Sequence, residues 1–227
     1  MKITHITGIL LLIISCSGEE NTSETTGNKK PEQHTTPLPY IGLHDIQYVE
    51  KDGKKVADTV YHTVPPFALI AHDSSLFTSD QVKGKIYVAN FFFTHCPAIC
   101  PAMIEQMKRL QGNTKDIEEL VFLSHTIDPE RDSIPRLQEY IAERELNTDN
   151  WYFLRGEKDE VYELGQDGYM INAMEDEYAE GGFLHSEHFV LIDREGHIRG
   201  LYVGTDPVEV DQLEKDIRKL LKEEYDQ

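Results

Sequence analysis

Hydrophobic and polar positions along this chain alternate with two different periods, and the blocks they form predict its elements. The densest apolar block runs from Ile86 to Phe93, rich in β-branched and aromatic residues and without clear alternation. That is the pattern of a strand covered on both faces, so it should lie mid-sheet. Pro97 and Pro101 follow it. Proline is tolerated where a helix starts, because the first turn's N–H groups have no intrahelical partner to lose, and a helix is expected to begin across the CPAIC segment. Further strands are expected at Phe67 to Ala71, Leu120 to Ile127, Trp151 to Leu154, His188 to Ile192 and Ile198 to Val203. Helical starts are read near Ser79 and at Pro135, the latter capped by Asp132 or Ser133 and burying Leu137, Tyr140 and Ile141. Another helix is expected around Asp159 to Met170. From Pro207 onward Val210, Leu213, Ile217, Leu220 and Leu221 form one apolar stripe of an amphipathic helix. Ahead of the core, the β-like stretches around Asp52-Gly53 carry a hairpin's turn dipeptide. Strands alternating with helices and closing on a hairpin and a helix predict an α/β fold with a mixed sheet and helices on both faces. No internal repeat is visible.

Composition narrows the partners. A chain of 227 residues suits one well-buried domain with extensions. With 22 Lys+Arg against 41 Asp+Glu, the net charge of −19 repels phosphates, so no nucleic-acid partner is expected. Residues Ser17 to about Pro39 are polar, rich in Thr, Glu and Pro and nearly free of aliphatic side chains, so they cannot bury enough to fold and read as a tether. Before them, Lys2 and the apolar run ITGILLLIISC, ending in Cys16, are too short for a comfortable membrane span and read as a cleaved signal. The Ile13-Ile14-Ser15-Cys16 ending resembles the lipobox of bacterial lipoproteins, which implies lipidation of Cys16; a plain secretory signal or short anchor is the alternative. The organisation expected is a signal over 1–15, a tether over 16–39 and a folded domain over 40–227.

Three cysteines are present, and if Cys16 is an anchor then Cys96 and Cys100 are the remaining thiols. At i and i+4 of a starting helix they can share one face, and a helix N-terminus favours the thiolate, which is both nucleophile and metal ligand. Strand, reactive cysteines and helix N-terminus in that order resemble the thioredoxin fold, although an ordinary thioredoxin has two residues between its cysteines and this chain has three. A structural pair or a disulfide is the bland reading of the two thiols. Two thiolates rarely fill a metal's coordination, and a third donor is sought where the thioredoxin fold returns to the cysteines, at the loop entering the final hairpin. That loop normally holds a proline. Here Leu184-His185-Ser186 stands there, with no proline between Pro135 and Pro207.

The THCPAICP motif, the TIDPERD segment from Thr126 to Asp132, and His185 followed by Asp193 together resemble the Sco/SenC family of copper-binding proteins over about Tyr40 to Tyr225. The resemblance implies a thioredoxin-like domain, held at a membrane, that helps deliver copper to the dinuclear copper site of cytochrome c oxidase subunit II or a related copper acceptor. It implies Cys96, Cys100 and His185 as ligands, and a place in the bacterial cell envelope outside the cytoplasm. Other copper chaperones or thioredoxin-like reductases are further partners to expect. Soft thiolates select Cu(I) and an added imidazole admits Cu(II), so the chemistry of the set agrees. Ala98 stands where many members carry an acidic residue. A second class of function, thiol-disulfide exchange on the oxidase's copper-site cysteines by the Cys96 and Cys100 pair, uses the same thiols without His185 as a ligand. His95 is read as a supporting or packing neighbour of Cys96, His125 and His188 as structural, and Met103 and Met107 as core. Met170 and Met174 are left outside the copper site, while Asp128, Arg131 and Asp132 read as turn, ion-pair and capping residues.

Overall fold

The computed structural model describes residues 37–175 and 183–225. The expected signal, Cys16 and most of the expected tether lie outside the described residues. A hairpin comes first, β1 (Asp45–Lys51) and β2 (Lys54–Val60), turning through Asp52 and Gly53, both at positive φ. The core then follows as β3 (Ala68–Ala71), β4 (Leu76–Thr78), β5 (Ile86–Phe92), α1 (Cys100–Asn113), β6 (Leu120–Thr126), α2 (Ile134–Glu143), β7 (Trp151–Arg155) and α3 (Lys158–Glu163). A π-helical turn at Leu164–Gly168 prolongs α3. Two short strands, β8 (Ala173–Glu175) and β9 (Phe183–His185), precede β10 (His188–Ile192), β11 (Ile198–Val203) and α4 (Pro207–Tyr225).

One seven-stranded sheet in the order β11-β10-β5-β6-β7-β3-β4 organises the domain. β5, β6 and β7 run parallel, while β10 and β3 flank them antiparallel. Every residue of β5 and β6 is buried, as their unbroken apolar pattern requires. Successive side chains of a strand point to opposite faces, and Phe91 and Phe92 show where each face goes. Phe92 meets Tyr140 of α2, whereas Phe91 meets His125 and Tyr169, the latter just beyond the π-helical turn. Helical segments therefore cover both faces. α1 is tied to α4 by Arg109, which pairs with Asp211, and to the end of α2 by Lys108, which donates to the Arg144 carbonyl.

Three expectations need correction. The segment starting near Ser79 makes only a single 3-10 turn, Ser79–Gln81, whose capping box uses the Gln81 side chain on the Thr78 N–H. It ends there because Gly84 adopts φ +77° and the chain turns into β5. α1 does not span the CPAIC segment: its first residue is Cys100, and Cys96 lies in the preceding loop. Pro101 falls within the first turn, where its missing N–H costs nothing. Of the two caps considered for α2, Ser133 does the capping, its Oγ accepting from the Arg136 N–H. Asp132 is engaged elsewhere.

Candidate metal and thiol site

β5 delivers the chain to the edge of the core, and residues 93–99 form the loop that carries Cys96. Its backbone N–H donates to the Phe93 carbonyl at 3.2 Å, closing a turn over the strand end. Cys96 is 9% exposed and Cys100 is 1% exposed, and neither is in a disulfide. The two thiols share a hydrogen bond, although one belongs to a loop and the other to a helix. That bond, followed by burial, pushes the Cys100 thiol well above the ordinary cysteine range. The expected depression by the helix N-terminus does not prevail at Cys100. Removing its proton would place a charge in a desolvated position beside a second sulfur, which outweighs the partial charge of one helix end.

The loop rests on a buried carboxylate. Asp132, fully buried, accepts from the Thr94 N–H at 3.0 Å, the Thr94 hydroxyl at 2.5 Å and the Thr126 hydroxyl. Ends of β5, β6 and the entry to α2 are thereby tied at one point. The Thr94 oxygen also accepts from Arg136 Nε at 3.2 Å and stands 2.9 Å from His95 Nδ1. A hydroxyl has one proton to give, and Asp132 takes it, so His95 must donate through Nδ1 to that oxygen. Thr94 and Asp132 as supports of the cysteine loop were not read from sequence, because 38 positions separate them; the only signal is that each lies within a motif. Asp128 forms an ion pair with Arg131.

His185 ends β9, in register with Ala173 of β8, and the next residue, Ser186, donates its N–H to the Asn172 carbonyl at 3.0 Å. Ala173 is buried beside the π-helical turn: a Cβ on Gly165 would lie 3.0 Å from the Ala173 Cβ and 3.2 Å from the Phe91 ring. The backbone of His185 is therefore paired to a strand packed at the π-helical turn, whose Gly165 also borders Phe91 of β5. Its side chain lies outside the described residues, and among the described residues no three His, Cys, Asp or Glu side chains form a metal cluster.

The other histidines settle into structural places. His125 is fully buried between Phe91, Phe67 and Tyr169, with no hydrogen-bond partner on either ring nitrogen, and burial holds its pKa down to about 3. The Ser186 hydroxyl and His188 Nδ1 lie 2.7 Å apart. Met103 and Met107 are in the core, and Met174 is 38% exposed on β8.

Fold and site together define a thioredoxin-like protein bearing a paired-thiol site at the end of its central strand. The SCO1/SenC family model matches residues 55–222, and the chain belongs to that family. The crystal structure of a SCO1/SenC family lipoprotein from Bacillus anthracis is 27% identical, with a TM-score of 0.65 over 70% of this chain and 95% of that one. The structure of BsSco, described as having a disulfide switch and as a member of the Sco family of cytochrome c oxidase assembly proteins, is 27% identical with a TM-score of 0.63, covering 70% and 93%. Arabidopsis thaliana ScoI, solved with copper bound, is 26% identical with a TM-score of 0.58, covering 69% and 99%.

Proposed function

We propose that this chain is a membrane-tethered copper metallochaperone of the bacterial cell envelope, with copper as its cargo and a cytochrome c oxidase subunit II as the recipient. Cys96, Cys100 and His185 are the ligands. Cys16 carries the lipid, residues 1–15 are the removed signal, and residues up to Pro39 are the tether that holds the domain outside the cytoplasm, the periplasm in a two-membrane cell. The observation carrying this reading is the shared hydrogen bond between two buried thiols at the end of β5. One soft cation can replace the thiol protons there with little rearrangement, and thiolate sulfurs favour Cu(I). The copper-bound relative and the relative described as an oxidase assembly protein support the same reading.

The test is an anaerobic titration of the fully reduced chain with Cu(I) and with Cu(II), beside Cys96→Ser, Cys100→Ser and His185→Ala. One tightly held copper is expected, weakened by each cysteine substitution for both ions, and by His185→Ala above all for Cu(II). A wild-type chain that holds no copper tightly would overturn the metallochaperone reading.

Thiol-disulfide exchange is the second reading, favoured by the unequal exposure of the sulfurs, 9% for Cys96 and 1% for Cys100. The Cys96 thiolate would attack a target disulfide and release one target thiolate. The Cys100 thiolate would then displace the second, leaving a Cys96–Cys100 disulfide and a reduced dithiol target. An external dithiol must restore the pair. Turnover of an oxidised subunit II peptide by metal-free chain and dithiol, lost in either cysteine variant, is the expected result; no turnover sinks this reading.

A further inference from the structure

The hairpin β1-β2 is left unexplained by the copper site. Every residue of its two strands is exposed except the half-buried Val49, and Ile46 and Tyr48 are 68% and 72% exposed. Its sheet has two strands only, and neither pairs with any other strand among the described residues. An isolated two-stranded hairpin is marginal in water, and an open edge carrying apolar side chains is a template for another strand. The register runs without a bulge, and no proline interrupts β1. The SCO1/SenC match begins at residue 55, after β1.

Geometry selects the occupant. Lys51 and Lys54 close a turn whose two central residues have positive φ, so this pair is bonded across the hairpin, and alternate pairs back to Asp45 and Val60 follow. Ile46, Tyr48 and Glu50 consequently send their N–H and C=O groups to the open edge. A two-fold axis through Tyr48 uses all three. It sets Tyr48 opposite Tyr48 of a second copy, Ile46 opposite Glu50, and Asp45 opposite Lys51 at both ends. The tyrosines pair face to face, with each Ile46 diagonal to the other copy's Tyr48. An axis through Glu50 would instead oppose two glutamates. On the free edge of β2 the corresponding axis through Ala57 sets Lys54 opposite Val60 and Lys55 opposite Thr59, with no opposite charges.

We propose that β1 is a self-association edge, pairing antiparallel about Tyr48 with β1 of a second copy of this chain to form a four-stranded sheet. This isologous contact is closed by its two-fold axis, so it stops at a dimer. It rests on the hairpin alone and not on the copper reading.

Two experiments test it. In the purified full chain, reduced and then mildly oxidised, Tyr48→Cys is expected to give about tenfold more disulfide-linked dimer than wild type or Ala57→Cys, because only the β1 edge brings identical residues together. A band no stronger than either control overturns the proposal, as does cross-linking to other proteins without self-cross-linking when the same oxidation is run in whole cells. Sedimentation supplies the second arm, without added cysteines. Asp45→Lys sets lysines opposite each other at both ends and is expected to weaken association about tenfold, while Asp45→Lys with Lys51→Asp restores it. A chain that sediments as a monomer throughout, or an association that the single reversal leaves unchanged or the double reversal fails to restore, also overturns it.

Discussion

Two residues illustrate how single side chains set the behaviour of the site and of the fold. Thr94 satisfies Asp132, Arg136 and His95 through one hydroxyl. Thr94→Val keeps the shape and deletes that oxygen, leaving a buried carboxylate with fewer donors. A stability loss of about 1–3 kcal/mol by urea denaturation is expected, with Thr94→Ser close to wild type. His125 works through its protonation. Its folded pKa of about 3 lies below the ordinary 6.5, so between those values the unfolded chain binds the extra proton. The contribution is fully present above pH 6.5 and is lost as pH falls towards 3, with a slope of up to about 1.4 kcal/mol per pH unit. His125→Phe should flatten stability against pH in that window. An unchanged slope would mean that other groups, such as His72, whose pKa burial also lowers, carry the acid sensitivity.

At the scale of elements, β8 and β9 matter most, because they hold the backbone of His185 beside the π-helical turn. Their seat depends on Gly165, where an added Cβ would crowd Ala173 and Phe91. Gly165→Val should cost about 1–3 kcal/mol by overpacking, measured by thermal or urea unfolding. It should also weaken Cu(II) binding in the direction of His185→Ala while leaving both thiols titratable by a thiol reagent in denaturant. Copper binding that survives this substitution unchanged would show that the hairpin's seat does not govern the histidine. The helical elements follow more local rules: α2 begins where Ser133 caps it, and α1 where the loop from β5 has already delivered Cys96.

Across the whole molecule, the first described residues are clamped to the last hairpin by one cation. Arg199, 4% exposed, donates to Asp193 Oδ2 at 2.8 Å and to the carbonyls of Leu38 at 2.9 Å and Pro39 at 3.2 Å, and lies over the Tyr40 ring. Ile41 adds a backbone bridge to Ile198. Arg199→Leu would take the guanidinium from the buried Asp193 carboxylate, which keeps the Glu195 and His197 N–H donors and the neighbouring His197 ring, and a stability loss of about 1–3 kcal/mol is expected from the denaturation midpoint. The same substitution should increase proteolysis near Leu38, since both of its carbonyl contacts would be lost. The acidic surface, with a net charge of −19, concerns encounter and not this clamp.

Sequence by itself determined six of the seven strands of the main sheet, most of the helices, the hairpin and the paired thiols, but not β4, β8 or β9. What it determined rests on burial on both faces, apolar periodicity and turn chemistry, which are local properties written in neighbouring residues. Ile86–Phe92 could be read as the central strand for that reason, and Ser133 was among the caps considered for α2. Its motifs also carried the Sco/SenC resemblance. Tertiary structure decided the order of the seven strands, the start of α1 at Cys100, the single turn at Ser79 and the support of Thr94 by Asp132. It decided, too, that the Cys100 thiol is pushed up and not down. Each of these depends on which groups are desolvated together or bonded across long separations. No period along the chain encodes that, because proximity and burial arise only when the sheet has assembled.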